Sequence, residues 1–258
     1  KKINAFDKPS AESEVFELCQ SGKQRRKNEL FRRAEDITTK PVRLYEAGNG
    51  TQNSNEPKTD TMIKKELLLG DEAIAWGALN AGLSGVYAYP GTPSTEITEF
   101  IQMHPLTRER GIHCNWSANE KTALEAALGM SFVGKRALVC MKHVGMNVCA
   151  DAFVNSAMTG ANGGLVVVAA DDPSMHSSQN EQDSRFYAKF AMIPCFEPAS
   201  QQEAYEMIGE AFDFSEKYQI PVLMRVTTRM AHSRAVVEIG EPRQQNTLHY
   251  PAVSYTHL

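Results

Sequence analysis

The sequence predicts an α/β protein with a mostly parallel, doubly wound sheet. From residue 67 onward, short apolar runs alternate with longer segments that suit helices. Runs of this length are typical of strands buried on both faces, and their alternation with helices is typical of a parallel sheet. The predicted strands are residues 85–89, 137–141, 165–170 and 221–226. The predicted helices are residues 71–81, 94–104, 118–133, 146–159 and 201–218.

Composition divides the chain near residue 62. Residues 1–61 are polar and rich in turn formers, so we expect a tail that is either largely disordered or not native to the domain. Residues 62–240 are predicted to form the domain, and residues 241–258 an atypical or truncated end.

Charge and cysteine usage exclude several classes of function. The chain has 27 basic and 31 acidic residues, so it lacks the broad basic field of a nucleic-acid binder. Its five cysteines form no Cys-x-x-Cys pair, which argues against a zinc or iron-sulfur motif and favours reduced thiols in the cytoplasm. No apolar run reaches the roughly 18 residues of a membrane helix, so we expect no membrane partner.

In an open α/β sheet, ligands bind where strands end and helices begin. Neither a Gly-x-Gly-x-x-Gly fingerprint nor a P-loop occurs at these junctions, which argues against the common nucleotide sites. The chemistry must therefore be sought in the other residues there.

The first junction is the sequence YPGTPSTE at residues 89–96. Thr92 is predicted to cap the next helix and Pro93 to be its first residue. Two interpretations remain open. The segment is either a plain strand-turn-helix connection or a helix start whose hydroxyls and free N–H groups bind an anion.

The second junction leads into a helix rich in small residues, including Ala123, Ala127 and Gly129, which predicts close packing. Ser117 and Glu120 have the spacing of a capping box, in which the glutamate bonds back to its own helix start. The alternative is that Glu120 is a catalytic carboxylate.

Two further junctions carry polar groups. His143 follows a predicted strand, and it is either structural or close to a ligand. The polar loop at residues 171–185 is too long for a simple connection, which favours substrate binding. Asp171, Asp172 and His176 suggest a metal site, but their irregular spacing favours hydrogen bonding.

Four of these segments have the order and spacing of a known family. Together they resemble the amino-terminal region of indolepyruvate ferredoxin oxidoreductase alpha subunits, over roughly residues 65–235. The long loop is the most specific part, whereas Tyr-Pro-x-Thr-Pro-Ser alone indicates only the wider 2-oxoacid:ferredoxin oxidoreductase group. The segments are residues 89–97, 119–123, 142–147 and 169–181.

The resemblance implies the thiamine diphosphate-binding fold, and within it the aminopyrimidine-binding (PYR-type) domain. Glu120 resembles the glutamate that hydrogen-bonds the aminopyrimidine ring and favours the tautomer that activates the cofactor. The residues assigned to the cofactor are Glu120, Pro90, Gly91 and Thr92. Those assigned to the substrate are Thr92, Ser94, His143, His176, Gln179 and Asn180, and no residue is assigned to a metal.

The implied reaction is the oxidative decarboxylation of aryl pyruvates such as indolepyruvate to acyl-coenzyme A, with ferredoxin as electron acceptor. The same chemistry on pyruvate, 2-oxoglutarate or branched 2-oxoacids is one alternative. A noncatalytic α/β assembly module is another, since caps and turns explain each junction without a ligand.

Parts of the family pattern are missing. The sequence lacks the Gly-Asp-Gly motif with a following asparagine that holds magnesium and diphosphate, and it lacks a cysteine cluster. Residues 244–258 do not resemble the family. We therefore expect a fragment that is inactive alone, with magnesium, iron-sulfur clusters, the diphosphate-binding domain and a beta subunit supplied by the rest of the enzyme.

Overall fold

A computed structural model of the chain describes residues 64–249. The predicted tail, and residues 250–258 of the predicted atypical end, lie outside this range. The strands are β1 (Lys64–Leu69), β2 (Gly85–Ala88), β3 (His113–Trp116), β4 (Ala137–Lys142), β5 (Leu165–Asp171), β6 (Cys195–Phe196), β7 (Val222–Thr227) and β8 (Arg234–Ile239). The helices are α1 (Gly70–Asn80), α2 (Thr95–Met103), α3 (Pro105–Glu109), α4 (Glu120–Phe132), α5 (His143–Thr159), α6 (Arg185–Ala191), α7 (Gln201–Tyr218) and α8 (Thr228–His232).

The main sheet has six strands in the order β3-β2-β4-β5-β7-β6, and every neighbouring pair is parallel. Strands β4, β5 and β7 are buried along almost their whole length, which is why they appear in the sequence as continuous apolar runs. The four predicted strands lie within one residue of their predicted bounds. The predicted fold class is confirmed.

Helices cover both faces of this sheet, so it is doubly wound. On one face α1, α2, α7 and α8 pack around a core that includes Ile74, Ile97 and Phe212. On the other face α4, α5 and α6 pack around Leu124 and Phe153. Among the described residues, none of the helices has the length and apolar character needed to cross a bilayer.

Several elements were not predicted. β1 and β8 form an antiparallel pair that is separate from the main sheet. β3 and β6, at the two edges of the main sheet, are short and only partly buried. Helix α5 begins at His143, three residues before its predicted start. Lys142 keeps an extended conformation and is the N-cap, so the chain passes from β4 into α5 without a loop.

Residues 241–249 run along the surface of the domain and bond to it at several places, including Gln245, whose Nε2 donates to the Leu83 carbonyl at 2.7 Å. The Arg243 N–H donates to the Asn80 carbonyl at 2.7 Å. Further on, the Leu248 N–H donates to the Gly134 carbonyl at 2.8 Å, and the Asn162 amide donates to the Leu248 carbonyl at 3.2 Å.

The strand order reverses between β2 and β4. From β2 the chain crosses outward to β3, then returns to β4 on the other side of β2. Connections on the two sides leave a crevice outside the carboxyl ends of β2 and β4, which is the usual ligand site of such sheets. The segment after β2 and the start of α5 lie at this crevice.

The loop between β5 and α6 is held at its near end by Asp172, which is 1% exposed. Its carboxylate accepts the N–H of Ser177 at 2.8 Å and the hydroxyl of Ser178 at 2.6 Å. It also accepts the N–H of His176 at 3.2 Å and the hydroxyl of Thr228 at 2.7 Å. Burial opposes ionisation of Asp172, but the hydrogen bonds outweigh it and hold its pKa well below the usual range.

The preceding residue, Asp171, holds the far end of the loop. This fully buried carboxylate accepts the N–H of Ser184 at 3.1 Å and also its hydroxyl. The Arg225 guanidinium lies 2.6 Å away and pairs with the same carboxylate. Asp171 and Asp172 are therefore hydrogen-bonded supports of the loop, in agreement with the favoured interpretation of these residues.

We expect Asp172→Asn to lower the free energy of unfolding by about 1–3 kcal/mol, because the uncharged amide loses hydrogen bonds made to a buried carboxylate. Loop cleavage in limited proteolysis should also become faster. The lowered pKa means that the stabilisation is present above the ordinary carboxyl pKa and is lost as the pH falls through the lowered value. The deficit of the variant should therefore shrink in acid.

Asp151→Asn is the matched control, since its side chain is 68% exposed. We expect it to change the free energy of unfolding by less than about 0.5 kcal/mol. Equal unfolding free energies for the two variants would contradict the role given to Asp172.

Candidate functional site

The turn after β2 has a different structure from the one predicted. The Ser94 N–H and hydroxyl both donate to the Gly91 carbonyl, at 2.9 and 2.8 Å, and the Gly91 N–H donates to Thr95 Oγ1 at 2.9 Å. The Thr92–Pro93 peptide, which is cis, lies inside this closed turn. Helix α2 therefore starts at Thr95 with Ser94 as N-cap, and the predicted helix start at Thr92 and Pro93 is wrong.

Some of the turn residues that were predicted to bind cofactor or substrate are exposed, and one is buried. Pro90 and Thr92 are exposed, and Gly91 is half-buried. Ser94 was predicted to face the substrate, but it is only 1% exposed and its hydroxyl is used within the turn. This prediction is corrected: Ser94 shapes the turn.

The turn meets the end of β4. A Cβ atom added to Gly91 would lie 3.2 Å from Lys142 Cβ, so the two backbones approach closely. Lys142 Nζ donates to the Ser177 carbonyl at 2.6 Å, and Ser177 Oγ donates to the Thr92 carbonyl at 3.4 Å. These bonds join the turn, the end of β4 and the long loop.

Glu120 is the first residue of α4 and is 8% exposed. The helix is capped by Asn119, whose Oδ1 accepts the Thr122 N–H at 2.9 Å. The capping-box interpretation with Ser117 is therefore wrong, because the N-cap is Asn119, two residues after Ser117, and Glu120 is the first residue of the helix and not the third. Within residues 64–249, the Glu120 carboxylate has no hydrogen-bond partner.

Gly145, in the first turn of α5, lies directly against Glu120. A Cβ atom at Gly145 would be 2.6 Å from both Cγ and Oε1 of Glu120. Only glycine allows this approach, so the helix turn acts as one wall of the space around the carboxylate. The carboxylate of Glu120 can accept a hydrogen bond from a ligand in this space.

A thiol also lies near Glu120. Burial, and secondarily the charge of Glu120, raise the pKa of Cys149 to about 12. A thiol with this pKa stays protonated at neutral pH and is a poor nucleophile. This argues against cysteine nucleophilic chemistry at the site.

His143 is fully buried at the start of α5. Its Nε2 lies 3.1 Å from the Asn180 carbonyl oxygen, so Nε2 is the protonated nitrogen. Nδ1 is buried and has no hydrogen-bond partner in the described part of the chain. His143 therefore ties the loop to α5, whereas the side chains of His176 and Gln179 are exposed on the loop.

The junction of β4 with α5 is the centre of the arrangement. Lys142 contacts the turn and the loop, His143 contacts the loop, and Gly145 contacts Glu120. The sequence analysis assigns no role in the site to Lys142 or Gly145, although both lie in one of the four family segments. A glycine within the first helical turn after a buried strand is the signal that could have identified Gly145.

Comparisons with known proteins identify the family and the fold of the chain. Residues 76–257 match the family described as pyruvate flavodoxin/ferredoxin oxidoreductase, thiamine diphosphate-binding. The match includes residues 244–257, which were expected not to resemble the family. In structure, the chain is similar to a 2-oxoglutarate:ferredoxin oxidoreductase from Magnetococcus marinus with 2-oxoglutarate, coenzyme A and succinyl-CoA bound. The TM-score is 0.62 at 19% identity, over 75% of this chain and 34% of that one. At this identity the likeness shows the fold.

Curated relatives are much more similar in sequence. The chain is 52% identical to indolepyruvate oxidoreductase subunit IorA of Pyrococcus horikoshii, over 70% of this chain and 28% of the relative. It is 49% identical to the subunit of the same name from Archaeoglobus fulgidus, over 72% of this chain and 30% of the relative. The chain thus spans less than a third of the length of these relatives. It belongs to the family of thiamine diphosphate-binding domains of the pyruvate flavodoxin/ferredoxin oxidoreductases.

Proposed function

We propose that this chain supplies the aminopyrimidine side of a thiamine diphosphate site. The enzyme that contains it would oxidatively decarboxylate indolepyruvate or another aryl pyruvate to acyl-coenzyme A and pass the electrons to ferredoxin. Identities of 52% and 49% to indolepyruvate oxidoreductase subunits support this substrate class. The observation that carries the proposal is the nearly buried Glu120 carboxylate, which has no partner among the described residues.

The residues around Glu120 fit such a cofactor. The Glu120 carboxylate is 8% exposed, so its oxygens remain free to accept a hydrogen bond from a ligand. Gly145 leaves space that a Cβ atom would fill. When bound, thiamine diphosphate supplies an electron sink for decarboxylation of a 2-oxoacid. Glu120 would hold the ring in orientation through a hydrogen bond to a ring nitrogen, with one proton shared between the carboxylate and that nitrogen.

The turn and the loop form the remaining walls in this proposal. Pro90, Gly91 and Thr92 border the cofactor, and Thr92 faces the oxygens of the substrate. The Lys142 ammonium adds positive charge beside a substrate that carries a carboxylate. His143 acts through Asn180, since their contact positions the loop.

The exposed loop side chains His176 and Gln179 border the substrate from the outer side.

The proposal assigns the other parts of the reaction to the remainder of the enzyme. Magnesium, the iron-sulfur clusters, the diphosphate-binding domain and a beta subunit belong there, as do the contacts with coenzyme A and ferredoxin. We also infer a cytoplasmic location, since the cysteines of the described residues are free thiols.

The alternatives are less well supported. Pyruvate, 2-oxoglutarate and branched 2-oxoacids would require the same carboxylate, so Glu120 does not discriminate between them. The named relatives at about half identity favour the aryl substrate. A noncatalytic module does not account for an unpartnered Glu120, because the capping role that would explain it belongs to Asn119.

In the complete enzyme, we expect Glu120→Gln to lower kcat by roughly 10²–10⁴-fold, because the amide cannot take up the proton that the carboxylate shares with the ring. The assay is indolepyruvate-dependent reduction of a viologen dye together with formation of the coenzyme A thioester. Glu125→Gln is the matched control, since Glu125 is an exposed carboxylate of the same helix.

Glu125→Gln should leave activity within a few fold of the original enzyme. If Glu120→Gln does the same, Glu120 has no catalytic role and the proposed function fails.

Gly145→Ala tests the position of the carboxylate. The added Cβ would lie 2.6 Å from Glu120 Oε1 and must displace it, so we expect a loss of activity of roughly 10²-fold in a folded enzyme. Gly129→Ala is the control, because a Cβ there meets nothing within 4 Å. Activity should be unchanged in that variant. Full activity of Gly145→Ala would show that the Glu120 position does not matter.

A further inference from the structure

A cluster of two carboxyl side chains and one histidine lies outside the candidate site, between three helices. Asp71 is the second residue of α1, Glu96 is the second residue of α2, and His232 is the last residue of α8. One ligand atom from each residue lies within 4.8 Å of the others. His232 Nε2 is 3.5 Å from Glu96 Oε1. Three helices thus direct metal-ligating atoms to one point.

Asp71 is the unusual member of this group. It is fully buried, and neither of its carboxylate oxygens has a hydrogen-bond partner in the described residues. The charged groups that act on it are the carboxylates of Glu96 and Glu72, so its surroundings add repulsion. Glu96 Oε2 is also buried and without a partner. A buried carboxyl group normally has a hydrogen-bond partner, a counter-ion or a bound metal, and Asp71 has neither of the first two among the described residues.

We propose that Asp71, Glu96 and His232 bind a divalent first-row transition-metal ion such as Zn²⁺. Two carboxylates neutralise the charge of the ion, and the imidazole favours a transition metal over Mg²⁺ or Ca²⁺. A proton shared between Asp71 and Glu96 would satisfy only one oxygen of Asp71 and would leave the other without a partner among the described residues. The side chains of Glu96 and His232 are each 35% exposed, which provides access from solvent.

The ion would connect the supports of the candidate site. Helix α2 begins directly after the turn that contains Thr92, and α8 begins at Thr228, whose hydroxyl bonds to Asp172. A metal between Glu96 and His232 therefore links the helix behind the turn to the helix that supports the loop. Its role would be structural, and it does not depend on the proposed catalytic function.

The test uses the full chain, stripped with a chelator and then titrated with Zn²⁺ alone by calorimetry and metal analysis. We expect binding of about one Zn²⁺ per chain and a higher Tm with the ion, since binding to the folded state stabilises it. Mg²⁺ should bind far more weakly. Asp71→Asn and His232→Gln should each weaken Zn²⁺ binding by at least roughly tenfold and reduce the rise in Tm.

Glu99→Gln is the matched control, because Glu99 is an exposed carboxylate of the same helix as Glu96. It should bind Zn²⁺ like the original chain. His232→Gln changes a partly exposed side chain, so it remains informative if Asp71→Asn does not fold. The proposal is overturned if the original chain takes up no Zn²⁺, or if uptake persists unchanged in the folded variants, which would identify an adventitious ion only.

Discussion

Parallel pairing of β2 with β4 places the carboxyl ends of both strands at one edge of the sheet, and the candidate site is assembled outward from that edge. The register sets Ala88 beside Cys140, so the turn after β2 reaches Lys142 at the end of β4. Gly145, the third residue of helix α5, lies directly against Glu120. The strand order reverses here, and this reversal opens the crevice that a ligand can occupy.

The buried carboxyl groups of the domain fall into two groups. Asp171 and Asp172 are buried with several hydrogen bonds each, and together they hold the two ends of the long loop. Such satisfied groups stabilise the fold and specify one conformation. Asp71 is fully buried, and neither of its carboxylate oxygens has a hydrogen-bond partner among the described residues. Glu120 is 8% exposed, and its oxygens are not among the fully buried polar atoms that lack a partner. A buried polar group without a partner is costly, which is why we propose a ligand at Asp71.

Much of the architecture follows from local pattern. The four fully buried strands are continuous apolar runs, and helix α7 has the predicted bounds because Ser200 caps it and its apolar residues repeat with helical spacing. The sequence does not predict the edge strands β3 and β6, because they lack such runs. β3 has the sequence HCNW and β6 has two residues, so neither contains an apolar run.

The sequence by itself determined the parallel α/β class, and it predicted the segments of the candidate site and Glu120 as its central carboxylate. Those properties depend on residue types and spacings within a short stretch of chain. Only the tertiary structure decided that Asn119 caps the helix and leaves Glu120 free, that Ser94 is turned into the protein, and that Asp71, Glu96 and His232 converge. These facts depend on where a helix begins and on contacts between distant segments, and neither leaves a periodic signal in the chain.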